Sequence, residues 1–92
     1  MKFDIEYNEE KNEILERTRN VSFEDVRDAI ENDQLVTIIN HPNKKKYKHQ
    51  LLLIVKINQY IFAVPCVWDD ARKVYFLKTV YPNRKLTTKY LT

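Results

Sequence analysis

The stretch Val21-Ser22-Phe23-Glu24-Asp25-Val26-Arg27-Asp28-Ala29-Ile30-Glu31-Asn32-Asp33-Gln34-Leu35-Val36-Thr37-Ile38-Ile39 decides the fold, because its hydrophobic period changes partway along. Ser22 stands where a helix N-cap belongs, and Asp25 follows three residues later, so the two can close a capping box. Val21 and Val26 are spaced to form a hydrophobic staple across the cap. Phe23, Val26, Ala29 and Ile30 recur at helical spacing and make one apolar stripe. This predicts a helix from Phe23 to about Glu31, stopped by Asn32-Asp33 in place of a glycine. From Gln34 onward the residues are β-branched and apolar, and the expected element is a strand.

Working outward, Lys2 to Tyr7 reads as a short strand with Phe3, Ile5 and Tyr7 on one face. Asn8 can cap a helix over Glu9 to about Arg19. Its acidic residues come early and its arginines late, as the helix dipole favours. Its apolar residues are chiefly Ile14 and Leu15. Downstream, Gln34–Ile39, Gln50–Ile57, Tyr60–Val67 and Lys73–Val80 read as four strands. Asn58-Gln59 is a two-residue hairpin turn, and Asp69-Asp70-Ala71-Arg72 is the next turn. Pro65 cannot donate to a ladder, so it marks an edge or a bulge. Residues 84–92 follow the Tyr81-Pro82-Asn83 break and are expected as a short helical tail or an extended arm. The sum is an α+β sandwich of two layers: two N-terminal helices packed on one face of a four- to five-stranded, mainly antiparallel sheet. The other face is expected to hold exposed side chains from the basic half.

With 92 residues the chain makes one domain, residues 1–92, and one modest core. The longest strictly aliphatic run, Leu51 to Val55, is far too short to span a bilayer. The start Met-Lys-Phe-Asp lacks the apolar stretch of a signal peptide, and the single cysteine, Cys66, cannot form an internal disulfide. A cytoplasmic setting is the expectation. The absence of glycine excludes the dinucleotide fingerprint and the P-loop. It also passes positive-φ positions to Asn and Asp.

Charge is divided along the chain. Residues 1–33 hold 11 acidic side chains against 5 basic ones, a net of −6, and residues 34–92 hold 11 basic against 2 acidic, a net of +9. A half that basic attracts polyanions, nucleic acid first among them, unless the two halves neutralise each other in the fold. The densest basic segment is His41-Pro42-Asn43-Lys44-Lys45-Lys46-Tyr47-Lys48-His49. Lysines with a tyrosine and histidines are suited to gripping phosphate and stacking a base. A solvated loop is the plainer reading.

Lys78 interrupts an apolar strand, and its parity sets it with Val74, Phe76 and Val80. Metal-free RNA cleavage needs a base for the 2′-hydroxyl, an acid for the leaving oxygen and a cation for the transition state. Lys, Arg, His and Tyr can divide those roles. Metal and cofactor chemistry are not expected: His41, His49 and Cys66 form no ligand cluster. Asp69-Asp70 reads as a turn, Cys66 as a core thiol and Trp68 as packing.

Tyr7-Asn8-Glu9-Glu10-Lys11, followed by Val21-Ser22-Phe23-Glu24, resembles the opening of the BrnT family of type II toxins. That family has a strand ending in Trp-Asp-x-x-Lys, a helix, then Val-Ser-Phe-Glu and a second helix. Lys11, Val21, Ser22, Phe23 and Glu24 match, while Tyr7 and Asn8 replace the Trp and Asp. Leu15, Thr18 and Arg19 stand where the family has a helical Asn and a Lys-His pair. Lys78 to Lys85 looks like a variant of the family's strand and Ser-Ala-Arg-like turn, with Arg84 at the arginine.

The resemblance implies a RelE-like fold and a small ribonuclease that inhibits translation. It also implies neutralisation by a co-expressed antitoxin, typically of ribbon-helix-helix type. On this reading Lys78 and Arg84 contact the phosphate and the transition state, and Tyr90 or His49 carries protons. Lys44, Lys45, Lys46, Tyr47, Lys48 and Lys85 hold the RNA, free or on the ribosome. The alternatives are a module that binds RNA, ribosome or DNA without cutting, and an interaction domain that docks an acidic protein.

Overall fold

The computed structural model describes residues 3–91. Its order is β1 (Asp4–Glu6), α1 (Glu9–Arg19), α2 (Phe23–Glu31), β2 (Leu35–Asn40), β3 (Leu51–Ile57), β4 (Tyr60–Asp69), β5 (Val74–Leu77), β6 (Tyr81–Pro82) and α3 (Arg84–Leu91). The expected strand at the N-terminus is shorter than its pattern, and its Lys2 lies outside the described residues. Thr92, at the end of the expected tail, does too.

Local chemistry sets the helix boundaries. The Asn8 side chain accepts from the Lys11 N–H at 2.9 Å and caps α1. At α2 the capping box is complete: Ser22 Oγ accepts from the Asp25 N–H at 3.1 Å, and Asp25 Oδ2 accepts from the Ser22 N–H at 2.9 Å. Among the described residues five take a positive φ: Asn20 at 54°, Asp33 at 61°, Asn58 at 51°, Gln59 at 65° and Lys73 at 58°. Asn and Asp take three of them, as expected, but Gln59 and Lys73 do not fit that rule. Without glycine the two tight turns simply carry the strain. Two consecutive positive φ values at Asn58-Gln59 give the turn whose twist suits a hairpin.

The sheet runs β1-β5-β4-β3-β2, with β6 pairing β4. The pairs β2–β3, β3–β4, β4–β5 and β4–β6 are antiparallel, while β1 and β5 are parallel. The chain therefore starts at one edge, crosses a face through α1 and α2, and resumes at the other edge with β2. Phe23, Val26, Ala29 and Ile30 from α2 join Leu15, Ile5, Leu53, Val55, Val64, Cys66, Leu77 and Val80 in the main core. Full burial of each large aliphatic or aromatic side chain contributes about 1.5–3 kcal/mol. Asn12 is also buried, with Oδ1 accepting from the Phe23 N–H at 2.7 Å and Nδ2 donating to Glu24 at 3.3 Å. It ties α1 to the start of α2. Ile14, expected as an apolar contact of α1, is 50% exposed instead.

Two expectations are corrected on the second face. It is not an open surface of charged side chains. Leu52, Ile54, Ile61 and Ala63 are buried there under Leu86 and Tyr90 of α3, with Tyr81 beside them. The tail is thus a helix and makes a third layer. The second correction concerns Lys78. Cys66 pairs with Leu77 and Ala63 with Tyr81, so one extra residue is accommodated between β5 and β6. This bulge reverses the side-chain alternation, and Val80 enters the helix-covered core while Lys78 stays with Phe76. Pro65 lies in a central strand, opposite the bulge. Its carbonyl accepts from the Lys78 N–H at 2.8 Å, and its missing N–H falls where the ladder is already interrupted.

Candidate functional site

The basic loop is held at its neck. The His41 N–H donates to the Gln50 carbonyl at 3.1 Å, and the Gln50 N–H donates to the Tyr47 carbonyl at 3.0 Å. Inside the loop the Tyr47 N–H donates to the Asn43 carbonyl at 2.9 Å, and Asn43 Oδ1 accepts from the Lys46 N–H at 3.2 Å. The His41 and Tyr47 rings lie 4.4 Å apart at 37°. This inner packing leaves Lys44, Lys45, Lys46, Lys48 and His49 exposed around a structured turn. The Lys46 ammonium sits 5.3 Å from the Tyr47 ring centroid.

The loop forms one wall of a cleft of about 510 Å³ with the Lys78–Tyr81 segment. His41, Tyr47 and Gln50 line one side, Lys78, Thr79 and Tyr81 the other, and Pro65 lies in the sheet between them. The bulge makes this possible by keeping Lys78 and Tyr81 on the same face. The Lys78 ammonium lies over the Phe76 ring, 5.1 Å from its centroid, and no carboxylate pairs with it among the described residues. Burial, with the neighbouring Tyr47, raises the Tyr81 phenol above its ordinary range. Tyr81 is therefore a hydroxyl donor at neutral pH. His41 Nδ1 accepts from the Asn43 N–H at 3.1 Å, which leaves the proton of the neutral ring on Nε2.

The residues singled out from sequence divide into two groups. Lys78, Tyr47 and the lysines beside it converge on or around the cleft. Arg84, Lys85, Tyr90 and His49 do not line it. Lys78 donates to Pro65 and Asn83 to Ile61, so four residues of β4, about 13 Å at strand rise, separate those two points. Arg84 and Lys85 are exposed on the first turn of α3. Tyr90 packs on the second core with Lys89 5.3 Å from its ring centroid.

Sequence reasoning named His41 only as part of the basic segment and did not single out Gln50, Thr79 and Tyr81. A hairpin closing at His41 and Gln50 was one available signal, since it places His41 at the loop's neck. Nothing in the pattern gave the bulge that turns Tyr81 to the same face as Lys78.

The remaining reactive groups have structural roles. Cys66 is buried, its thiol pushed up to about 12 by loss of solvation, so it is no nucleophile at neutral pH. Asp69 Oδ1 accepts from the Arg72 N–H at 3.1 Å and closes the turn. Asp70 is held below the usual carboxylate range by Lys73 and then by the Trp68 indole. Among the described residues no three His, Cys, Asp or Glu side chains cluster to hold a metal, and no helix is long and apolar enough to cross a membrane.

Charge is divided in space as in sequence. The exposed acidic residues Glu9, Glu10, Glu13, Glu16, Glu24, Asp28 and Glu31 lie on α1 and α2. Arg84, Lys85 and Lys89 lie on α3, over the opposite face. Arg72–Glu6 is the one ion pair joining the two halves among the described residues; the other, Lys73–Asp70 at 2.9 Å, is within the basic half. Comparison of the chain with protein-family models, with characterised proteins and with solved structures gives no match.

Proposed function

We propose that the chain binds RNA in the cleft between the 41–50 loop and the Lys78–Tyr81 segment, and cleaves it there without a metal as a BrnT-like toxin. One observation carries the reading: an unpaired lysine, two tyrosines and a histidine meet in a cleft beside four further exposed lysines. The lysines supply the phosphate attraction. The adjacent His41 and Tyr47 rings, tilted to each other, present an aromatic surface on which a base can lie.

In the proposed reaction the 2′-hydroxyl gives its proton to water as its oxygen attacks the adjacent phosphorus, and the bond to the 5′-oxygen breaks to leave a 2′,3′-cyclic phosphate. Lys78 stabilises the charge that develops on the phosphoryl oxygens. The Tyr81 hydroxyl or His41 Nε2–H donates toward the leaving oxygen. This moves the proton carriers from Tyr90 and His49 to residues of the cleft. A RelE-like fold, a ribbon-helix-helix antitoxin and a cytoplasmic setting belong to the same proposal.

The second reading is a protein that binds RNA without cutting it. It is favoured by Tyr81, whose phenol keeps its proton and so donates to phosphate but takes none from a 2′-hydroxyl. Purified protein incubated with labelled RNA in EDTA separates the two. Fragments ending in 2′,3′-cyclic phosphate, lost in Lys78→Ala, support cleavage. Salt-sensitive binding with intact RNA, also in the presence of translating ribosomes, supports the second reading. No binding at low salt rejects both.

A further inference from the structure

Strand β2 ends the sheet order. From Leu35 to Asn40 it has no charged residue and no proline, the usual means of keeping an edge from pairing. One protective device is present: Leu35 pairs with Val55 and Thr37 with Ile54, so the strand bulges at Val36. Beyond the bulge, residues 37–41 are regular. The His41 N–H bonds inward to Gln50, and by alternation the N–H and C=O groups of Ile38 and Asn40 point outward. Ile39 lies between them, 36% exposed, and Val36 is 39% exposed.

We propose that two copies of this chain associate through β2, antiparallel, about a two-fold axis at Ile39. Ile38 of each copy then exchanges main-chain hydrogen bonds with Asn40 of the other, and the two Ile39 side chains meet at the axis. The charge on either side of β2 selects this occupant. Glu31 and Asp33 precede the strand, and Lys44, Lys45 and Lys46 follow it. Antiparallel pairing sets the acidic entry of one copy beside the basic loop of the other. Parallel pairing would place like charges together. The patch is self-complementary, as a two-fold interface requires. An axis perpendicular to the joined sheet leaves both clefts on one side of the assembly.

Sedimentation of the full chain up to millimolar concentration tests this without any RNA. The expected result is a concentration-dependent dimer that Ile39→Lys weakens about tenfold or more, because it opposes two ammonium groups at the axis. Asp33→Lys and Lys45→Asp should each weaken the dimer, and the double variant should restore it. Circular dichroism checks that each variant is folded. A monomer at every concentration leaves the edge free or for another protein's strand, and overturns the proposal. So does a dimer that Ile39→Lys leaves intact, or a charge swap that fails to restore it.

Discussion

Asn12 is a polar residue buried on a largely exposed helix. It stands three residues before Leu15, on the same side of the helix, so its burial was open to inference. What could not be inferred was its partner, the Phe23 N–H, eleven residues away across a turn. Asn12→Ala leaves that N–H buried without an acceptor, and the expected loss is about 1–3 kcal/mol in urea unfolding. Asn12→Asp keeps the acceptor but faces Glu24, and should lie between. Cys66 sets a pH dependence. The unfolded thiol ionises near 9.0, while the folded one keeps its proton to about 12. The unfolded state therefore binds fewer protons between those values, and stability falls as pH rises through that window. Tyr75, raised by burial and by Cys66, acts in the same direction. Urea midpoints across the alkaline range should decline, and Cys66→Ala should make the decline shallower.

At the scale of elements, most of the order was legible because caps and periods are local. Ser22-Phe23-Glu24-Asp25 fixed the start of α2, and Asn58-Gln59 fixed the hairpin. The extra residue between β5 and β6 was not legible. A bulge is decided by what lies opposite, here Pro65 and the core position of Val80, and neither adds a signal to the sequence around Lys78. The covering of the second face was also hidden. In α3, Leu86 and Tyr90 fit one helical side, but the helix is short and its neighbours are polar. Thr87 fixes it, its Oγ1 accepting from the Ile61 N–H at 3.0 Å. Leu86→Ala should cost about 1–2 kcal/mol through lost apolar burial, and Thr87→Val should be destabilised by its loss of that acceptor. Gln59→Gly should change stability the other way. It relieves a positive φ at a position where glycine is favoured, with an expected gain of up to about 1 kcal/mol in thermal or urea unfolding.

Over the whole molecule, the sheet separates two charges that the chain already separates in sequence. The acidic residues cover α1 and α2, and the basic ones gather on the loop, on α3 and at Lys78. Among the described residues only Arg72–Glu6 joins the halves, so the cationic side keeps most of its field. Under the proposed function this field is focused at the cleft and not at the start of α3. Fluorescence anisotropy of single-stranded RNA titrated with the protein over a range of salt concentrations, for the wild type, Lys78→Ala and Arg84→Ala, tests it most directly. Lys78→Ala is expected to weaken binding several-fold and to lower the salt slope by about 1, with a smaller effect for Arg84→Ala. Equal losses, or a greater loss for Arg84→Ala, would contradict it.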